Sequence, residues 1–330
     1  MRELMKTMKE QLVSGEDLVL VTVTAAHGAT PRGAGARMLV NRTGRLCGTI
    51  GGGAVEYRSE KIAAEVLKEK ASKEHDFSLT RDDVEQLGMI CGGAVNVYFH
   101  FIPGNDREVI ALCDKAEEAF INAEDLWLIS DIGLGGKLSL AQKTGGEMDA
   151  FLTRQPCRIN DENKNIYIEQ ISTSGRVYIF GCGHVGQELE PVLTHVGFRC
   201  TVMDDRPEFA KRELFPSADE VKVIDFNHIS DYISIGENDY AVVMTRGHAF
   251  DTVVQAQVLP CRPCYVGVIG SRHKAAGVRQ DLHDNYGVSD ADLDLVTTPI
   301  GMEIKAETPA EIAISIAGEM ILRRAQLNQM

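Results

Sequence analysis

No stretch of the 330-residue sequence approaches the run of about 18 apolar residues that a membrane span needs. The first residues also lack the apolar core of a signal peptide, because Leu4, Met5, Met8 and Leu12 fall at helical spacing instead. There is no excess of positive charge. Lys and Arg number 34 against 48 Asp and Glu, for a formal net charge of −14. That balance argues against nonspecific nucleic-acid binding and against docking on an anionic membrane. It leaves a small anionic ligand open, since backbone amides at a helix N-terminus can hold phosphate locally. A second cysteine pair is missing as well. Cys261 and Cys264 form a C-x-x-C, but four-cysteine zinc needs another pair at similar spacing. The motif leads into an apolar strand rather than opening a helix, where a thioredoxin-type thiolate would be stabilised. It reads as a structural or incidental pair. The eight cysteines, scattered through core-like segments, fit reduced thiols and a cytoplasmic protein.

What is present suggests two domains of ordinary size, with 44% hydrophobic and 25% charged residues. The first, 1–171, reads as mixed α+β. Strand-like runs lie at 18–24, 37–41, 45–50, 94–101, 126–131 and 165–171, with helical spacing over 54–70 and 106–122. Residues 145–164 are polar and irregular. The second, 172–330, opens at Ser172-Thr173-Ser174-Gly175 and alternates strand with helix. Strands are expected at 176–180, 199–203, 220–223, 239–244 and 264–269, and a last helix at 310–327 after Thr308-Pro309. Such alternation predicts a Rossmann-type, doubly wound parallel sheet.

In VYIFGCGHVGQELEPVL, Gly181, Gly183 and Gly186 stand in G-x-G-x-x-G spacing between an apolar strand and a helix. The first glycine permits the tight turn, the second lets a pyrophosphate approach the backbone, and the third lets the helix pack closely on the sheet. Asp204 follows at the end of the next strand, 18 residues beyond Gly186, where a ribose hydroxyl would be held. An acid there favours NAD over NADP if the ligand is a nicotinamide nucleotide. Asp205 is expected to turn towards Arg206 or the turn before Pro207. His184 at the helix start can meet phosphate or simply face solvent. Two later loops sit at strand C-termini, one with Arg246 and His248, the other with Ser271 and Arg272. Their cations can clamp an anion, and their plainer reading is helix capping and loop-anchoring ion pairs.

The first half carries three glycine clusters: residues 27–37 with Arg32 and Arg37, Gly51-Gly52-Gly53 before a helix bearing Glu56, and Cys91-Gly92-Gly93. Glycine-rich turns can converge several amides on one anion. Tight hairpins are the bland alternative. ATPRGAGARM, GTIGGGAVE and ICGG here, with FGCGHVG, DDRPEFA, FPSAD, MTRGH, YVGVIGSRHK and TPAEIA in the second half, resemble the signature segments of the XdhC/CoxI family, the accessory proteins of molybdenum hydroxylases such as xanthine dehydrogenase. Cys182 stands where a small residue such as Ala is expected, and Cys261-Arg-Pro-Cys264 is not a family feature.

The resemblance implies a chaperone without turnover of its own. It would hold molybdenum cofactor (molybdopterin or its dinucleotide), support its sulfuration and deliver it to a molybdenum hydroxylase apo-enzyme. A cysteine-desulfurase-like sulfur donor would be a second partner. On this reading Arg32, Arg37 and the backbone of Gly51, Gly52 and Gly53 grip phosphate, and Glu56 orients Arg37 or a pterin nitrogen. Cys91 lies near molybdenum as a soft ligand or sulfur relay, or is a buried structural thiol. The competing readings are an NAD-dependent oxidoreductase, with NAD or another dinucleotide on the glycine loop, and a nucleotide-sensing regulator. An oxidoreductase needs a positioned acid or base, and His27, Glu56 and His100 form no recognisable constellation. A homodimer is the commonest closed assembly.

Overall fold

A computed structural model describes residues 1–28, 30, 32–78, 93–133, 136–161, 164–248 and 250–327, with 248 and 272 as backbone only. The chain divides into two compact units, Met1–Thr173 and Ser174–Met330. Among the described residues no helix is long and apolar enough to cross a membrane.

The first unit begins with helix α1 (Arg2–Val13), whose Leu4, Met5, Met8 and Leu12 are buried as their spacing requires. Strands β1 (Leu18–His27), β2 (Arg37–Asn41), β3 (Gly44–Thr49), β4 (Lys73–Ser78) and β5 (Ala94–Ile102) form an antiparallel sheet in the order β3-β2-β1-β5-β4. Alternation along β1 sends Val19, Val21 and Val23 to one face and Leu18 and Leu20 to the other. Helix α2 (Gly53–Glu69) covers the first face with Val55, Ala63 and Val66. Helix α1 and helix α3 (Arg107–Asn122) cover the second. Asp106 caps α3 by accepting from the Glu108 and Val109 amides. A second antiparallel sheet, ordered β7-β6-β9-β8, is built from β6 (Leu126–Asp131), β7 (Leu138–Ala141), β8 (Cys157–Asn160) and β9 (Asn165–Ser172). Its Leu128 and Ile171 join the α1–α3 core. The unit is the mixed α+β arrangement expected.

The second unit is a six-stranded parallel sheet of β10 (Val177–Phe180), β11 (Cys200–Asp204), β12 (Glu220–Val223), β13 (Tyr240–Val243), β14 (Tyr265–Val268) and β15 (Val296–Thr297), ordered β12-β11-β10-β13-β14-β15. In sequence order this is 3-2-1-4-5-6, the doubly wound order whose switch point lies between its first and fourth strands. Val177 and Ile179 face helices α4 (His184–His195) and α8 (Pro309–Leu327). Tyr178 and Phe180 face the layer that contains α5 (Asp251–Val258), α6 (Arg272–Tyr286) and the short α7 (Asp290–Leu293). Both faces are covered, so the central strands are apolar throughout.

One polar group within the first unit gives its stability a pH dependence. His100 on β5 is buried beside Tyr98. Burial pulls its pKa down to about 4, against the opposing pull of Asp106 and of a hydrogen bond to the Gly136 backbone. The unfolded chain therefore binds a proton between about pH 6.5 and 4 that the folded chain refuses. Stability present above that window is lost as pH falls through it, by about 3 kcal/mol in all. Urea unfolding at pH 7, 5.5 and 4 should show this loss, and His100→Gln should remove a matching part of the slope.

Candidate functional site

Each glycine of the Rossmann loop has its own steric reason. Gly181 takes φ +128°, and a Cβ there would lie 2.3 Å from the Met244 carbonyl oxygen. A Cβ at Gly186 would lie 2.4 Å from the Gly181 carbonyl oxygen, so α4 can approach β10 only without a side chain. Gly183 is different. It caps α4 with φ −70°, and nothing stands within 4 Å of where its Cβ would be. That open space lies at a helix N-terminus whose exposed first residue is His184.

Asp204 ends β11 only 1% exposed. Its Oδ1 accepts from the Arg206 amide (3.1 Å) and Nε (2.8 Å). Its Oδ2 accepts from Arg206 Nη2 (3.0 Å) and the Cys182 amide (2.8 Å). Burial alone would push its pKa up, but the guanidinium and the two amides hold it below the ordinary range. A carboxylate has about four lone-pair positions, and here all are filled from within the protein. Arg206 binds Asp204 closely, pairs more loosely with Asp205 as expected (Nε to Oδ1, 3.8 Å), and stacks on Phe209, 3.8 Å from the ring centroid. Asp205 is left exposed beside it.

At the next strand end, Thr245 donates its hydroxyl (2.6 Å) and amide (3.1 Å) to the buried Asp251 at the start of α5, and Arg246 is exposed. The backbone of His248 lies in the same turn. After β14, Ser271 caps α6 by accepting from the Lys274 amide at 3.4 Å, and the backbone of Arg272 follows. Between α5 and α6 opens a cleft of about 630 Å³, lined by Gln255, Val268, Lys274, Leu282 and Val296 among others. No local sequence pattern foretells it, because it exists where α6 stands off the sheet with Leu282 as its fully buried residue. Cys261 and Cys264 are not disulfide-bonded. Their thiols donate to the separate carbonyls of Gln257 (3.6 Å) and Asp239 (3.1 Å).

The first unit departs further from expectation. Arg37 is not available to a phosphate. Its side chain is 2% exposed and pairs with Glu169 of β9, while its Nε donates to Thr22 at 3.2 Å. Tyr167 donates to the other Glu169 oxygen at 3.0 Å. Burial lowers the Arg37 pKa to about 10. The pair expected between Glu56 and Arg37 is not formed. Glu56 pairs with Arg45 instead and accepts from Thr49 and from the Ile50 (3.0 Å) and Gly52 (3.2 Å) amides. The turn Gly51-Gly52-Gly53, at positive φ throughout, thus already holds a carboxylate where an outside anion was expected. Burial would raise the Glu56 pKa, but these donors hold it low. Arg32 is exposed on its loop, and Cys91 lies outside the described residues. Among the described residues no group of three or more His, Cys, Asp and Glu is placed to hold a metal ion.

A six-stranded sheet in 3-2-1-4-5-6 order with a glycine loop at its switch point defines a Rossmann-type domain that follows an α+β unit in the chain. Two family models match the sequence: the XdhC Rossmann domain over residues 177–320, and the XdhC and CoxI family over residues 12–78. Between them they span more than half of the chain, and the protein belongs to the XdhC and CoxI family. It is 25% identical over 97% of its length to a Bacillus subtilis protein named as a probable xanthine dehydrogenase subunit, covering 98% of that protein. The molybdenum cofactor insertion chaperone PaoD of Escherichia coli is 22% identical over 97% of this chain and 87% of its own. YqeB of Escherichia coli is 23% identical over 92% of this chain, which spans 42% of that protein. A crystal structure described as a xanthine dehydrogenase from Bacillus halodurans shares the fold, with TM-score 0.79 at 22% identity over 98% of this chain and 96% of that one.

Three substitutions check this geometry through stability. Gly186→Ala should cost roughly 1–3 kcal/mol through overpacking against the Gly181 carbonyl, while Gly183→Ala should unfold within about 0.5 kcal/mol of the parent. Arg37→Ala should cost roughly 3–5 kcal/mol, because it strands Glu169 in the interior. Urea unfolding measures all three. A parent-like Arg37→Ala would mean that the pair carries no structural role.

Proposed function

We propose that the protein is an accessory protein that binds molybdenum cofactor, as molybdopterin or its dinucleotide, and supports its sulfuration and insertion into a molybdenum hydroxylase such as xanthine dehydrogenase. A cysteine-desulfurase-like protein supplies the sulfur. The observation that carries this reading is the likeness along 97% of the chain to a protein named as a molybdenum cofactor insertion chaperone. The Rossmann crevice fits the anionic end of such a cofactor. Gly183 leaves the backbone open to a phosphate at the start of α4, next to His184. Arg246, His248, Ser271 and Arg272 come from the ends of β13 and β14, and cations of this kind suit a phosphate or pyrophosphate.

In the first unit Arg32 is the exposed cation of its loop. Arg37 and Glu56 serve by shaping the loops around Gly35 and Gly52 rather than by touching the ligand. Cys91 is chemically suited to the molybdenum or sulfur end as a thiolate. The bound cofactor supplies the metal chemistry, and the chain holds it and keeps it oriented. The reading as an NAD-dependent oxidoreductase ranks second, because Asp204 has no acceptor position left for a ribose hydroxyl.

Co-expression tests the proposal. A molybdenum hydroxylase made with the parent protein should be loaded and active. With Gly183→Val and Arg246→Ala together its sulfurated cofactor should fall about tenfold or more, since each charge-assisted contact is worth roughly 1.5–3 kcal/mol. A fully loaded hydroxylase from cells that lack this protein would sink the reading.

A further inference from the structure

The cleft between α5 and α6 starts at the carboxyl edge of the parallel sheet, where Gly247 follows β13, Gly270 follows β14 and Thr298 follows β15. It reaches back to Leu282 and to Val296, which pairs with Val266 in the first half of β14. Gly270 is half-buried, and nothing stands within 4 Å of where its Cβ would be. Gln255 gives this apolar space a hydrogen-bonding preference. Its side chain lines the cleft, and the residue is 2% exposed. Its Nε2 donates to the Asp251 carbonyl at 2.9 Å, and its Oε1 accepts from no donor among the described residues. A buried amide oxygen calls for a donor. Thr252 and Thr298 add hydroxyls to the lining, and Lys274 forms no ion pair among the described residues.

The glycine loop and the cleft share one edge of the sheet. A Cβ at Gly181 would meet the Met244 carbonyl, and Gly247 lies three residues further along that strand end. Only β13 separates β10 from β14, so their ends stand two strand spacings apart, about 10 Å. A phosphate ester reaches from its anion to its ring over such a span. We propose that the cleft takes a bicyclic ring carrying the amino-lactam edge that pterin and guanine share, with the attached phosphate at the Gly183 loop. This rests on the reading of the protein as a holder of molybdenum cofactor, whose pterin has that edge, as does the guanine of a dinucleotide form. The ring N–H and the neighbouring amino group donate to Gln255 Oε1, which has two lone pairs. A threonine hydroxyl donates to the ring oxygen, and Val268 and Leu282 offer apolar surface to the ring. Adenine presents a bare ring nitrogen at the equivalent position, so an acceptor would face an acceptor.

Calorimetry on the full chain with GDP, ADP and 6-carboxypterin tests the proposal. GDP binding about tenfold or more tighter than ADP assigns the cleft to a guanine, since a site built to receive N–H donors rejects a ring without them. Binding of 6-carboxypterin assigns it to the pterin. In either arm Gln255→Leu and Gly270→Leu should each weaken the ring about tenfold or more. Neither should lower the melting temperature, because one removes an unmet acceptor and the other enters open space. GDP no tighter than ADP together with no binding of 6-carboxypterin would overturn the inference, and so would affinity unchanged in either variant. Loss of hydroxylase loading is a separate readout, so a misplaced ring is distinguishable from a protein that holds no cofactor.

Discussion

The carboxylate of Asp204 governs the Rossmann site. It ends one strand, receives the amide of Cys182 from the loop after the neighbouring strand, and grips Arg206 two residues ahead. The turn that carries Gly181 and Gly183 is thereby tied to the carboxyl end of β11. Hydrogen bonds to a buried charge are among the stronger polar contacts in proteins. Their result is a loop held in a fixed place with the Gly183 backbone facing open space. The same satisfaction removes Asp204 from the pool of ligand-binding groups. A residue whose position suggests recognition of a ribose therefore acts as an internal tether.

A similar substitution of structure for ligand occurs in the first unit. Glu56 fills the amides of the glycine turn before α2, and Glu169 takes Arg37 across to the second sheet. Each internal carboxylate sits where an outside anion was expected. Such pairs are costly to desolvate, and their worth lies in fixing one arrangement of the elements they join. Arg37 links β2 to β9, and Tyr167 and Thr22 complete its surroundings. The anion-binding capacity that the glycine-rich sequence suggests for both halves is geometrically open at the loop of the second.

Much of this was legible in the sequence, and the physical reason is locality. The helical spacing of Leu4, Met5, Met8 and Leu12, the apolar runs of β10 and β13, and the G-x-G-x-x-G spacing each depend on neighbours within a few residues. Four of the short or polar edge strands were not legible, although the edge strand β12 was expected at 220–223. Strand β4 reads Lys-Glu-His-Asp-Phe-Ser and sits at the edge of its sheet, paired to β5 alone. Strands β7, β8 and β15 are also edges, of four, four and two residues. Ion-pair partners were illegible for the opposite reason. Arg37 and Glu169 are far apart in sequence, and only the pairing of two sheets brings them together.

If the open glycine loop of the second unit carries the phosphate end of a molybdenum cofactor, the cofactor should travel with the protein. Native mass spectrometry of the protein purified from its own cells tests this most directly. The parent should retain a mass equal to molybdopterin or its dinucleotide, and Gly183→Val, whose side chain would occupy the open space, should lose it while remaining folded. A retained nicotinamide dinucleotide, or a molybdopterin mass undiminished in Gly183→Val, would contradict the account.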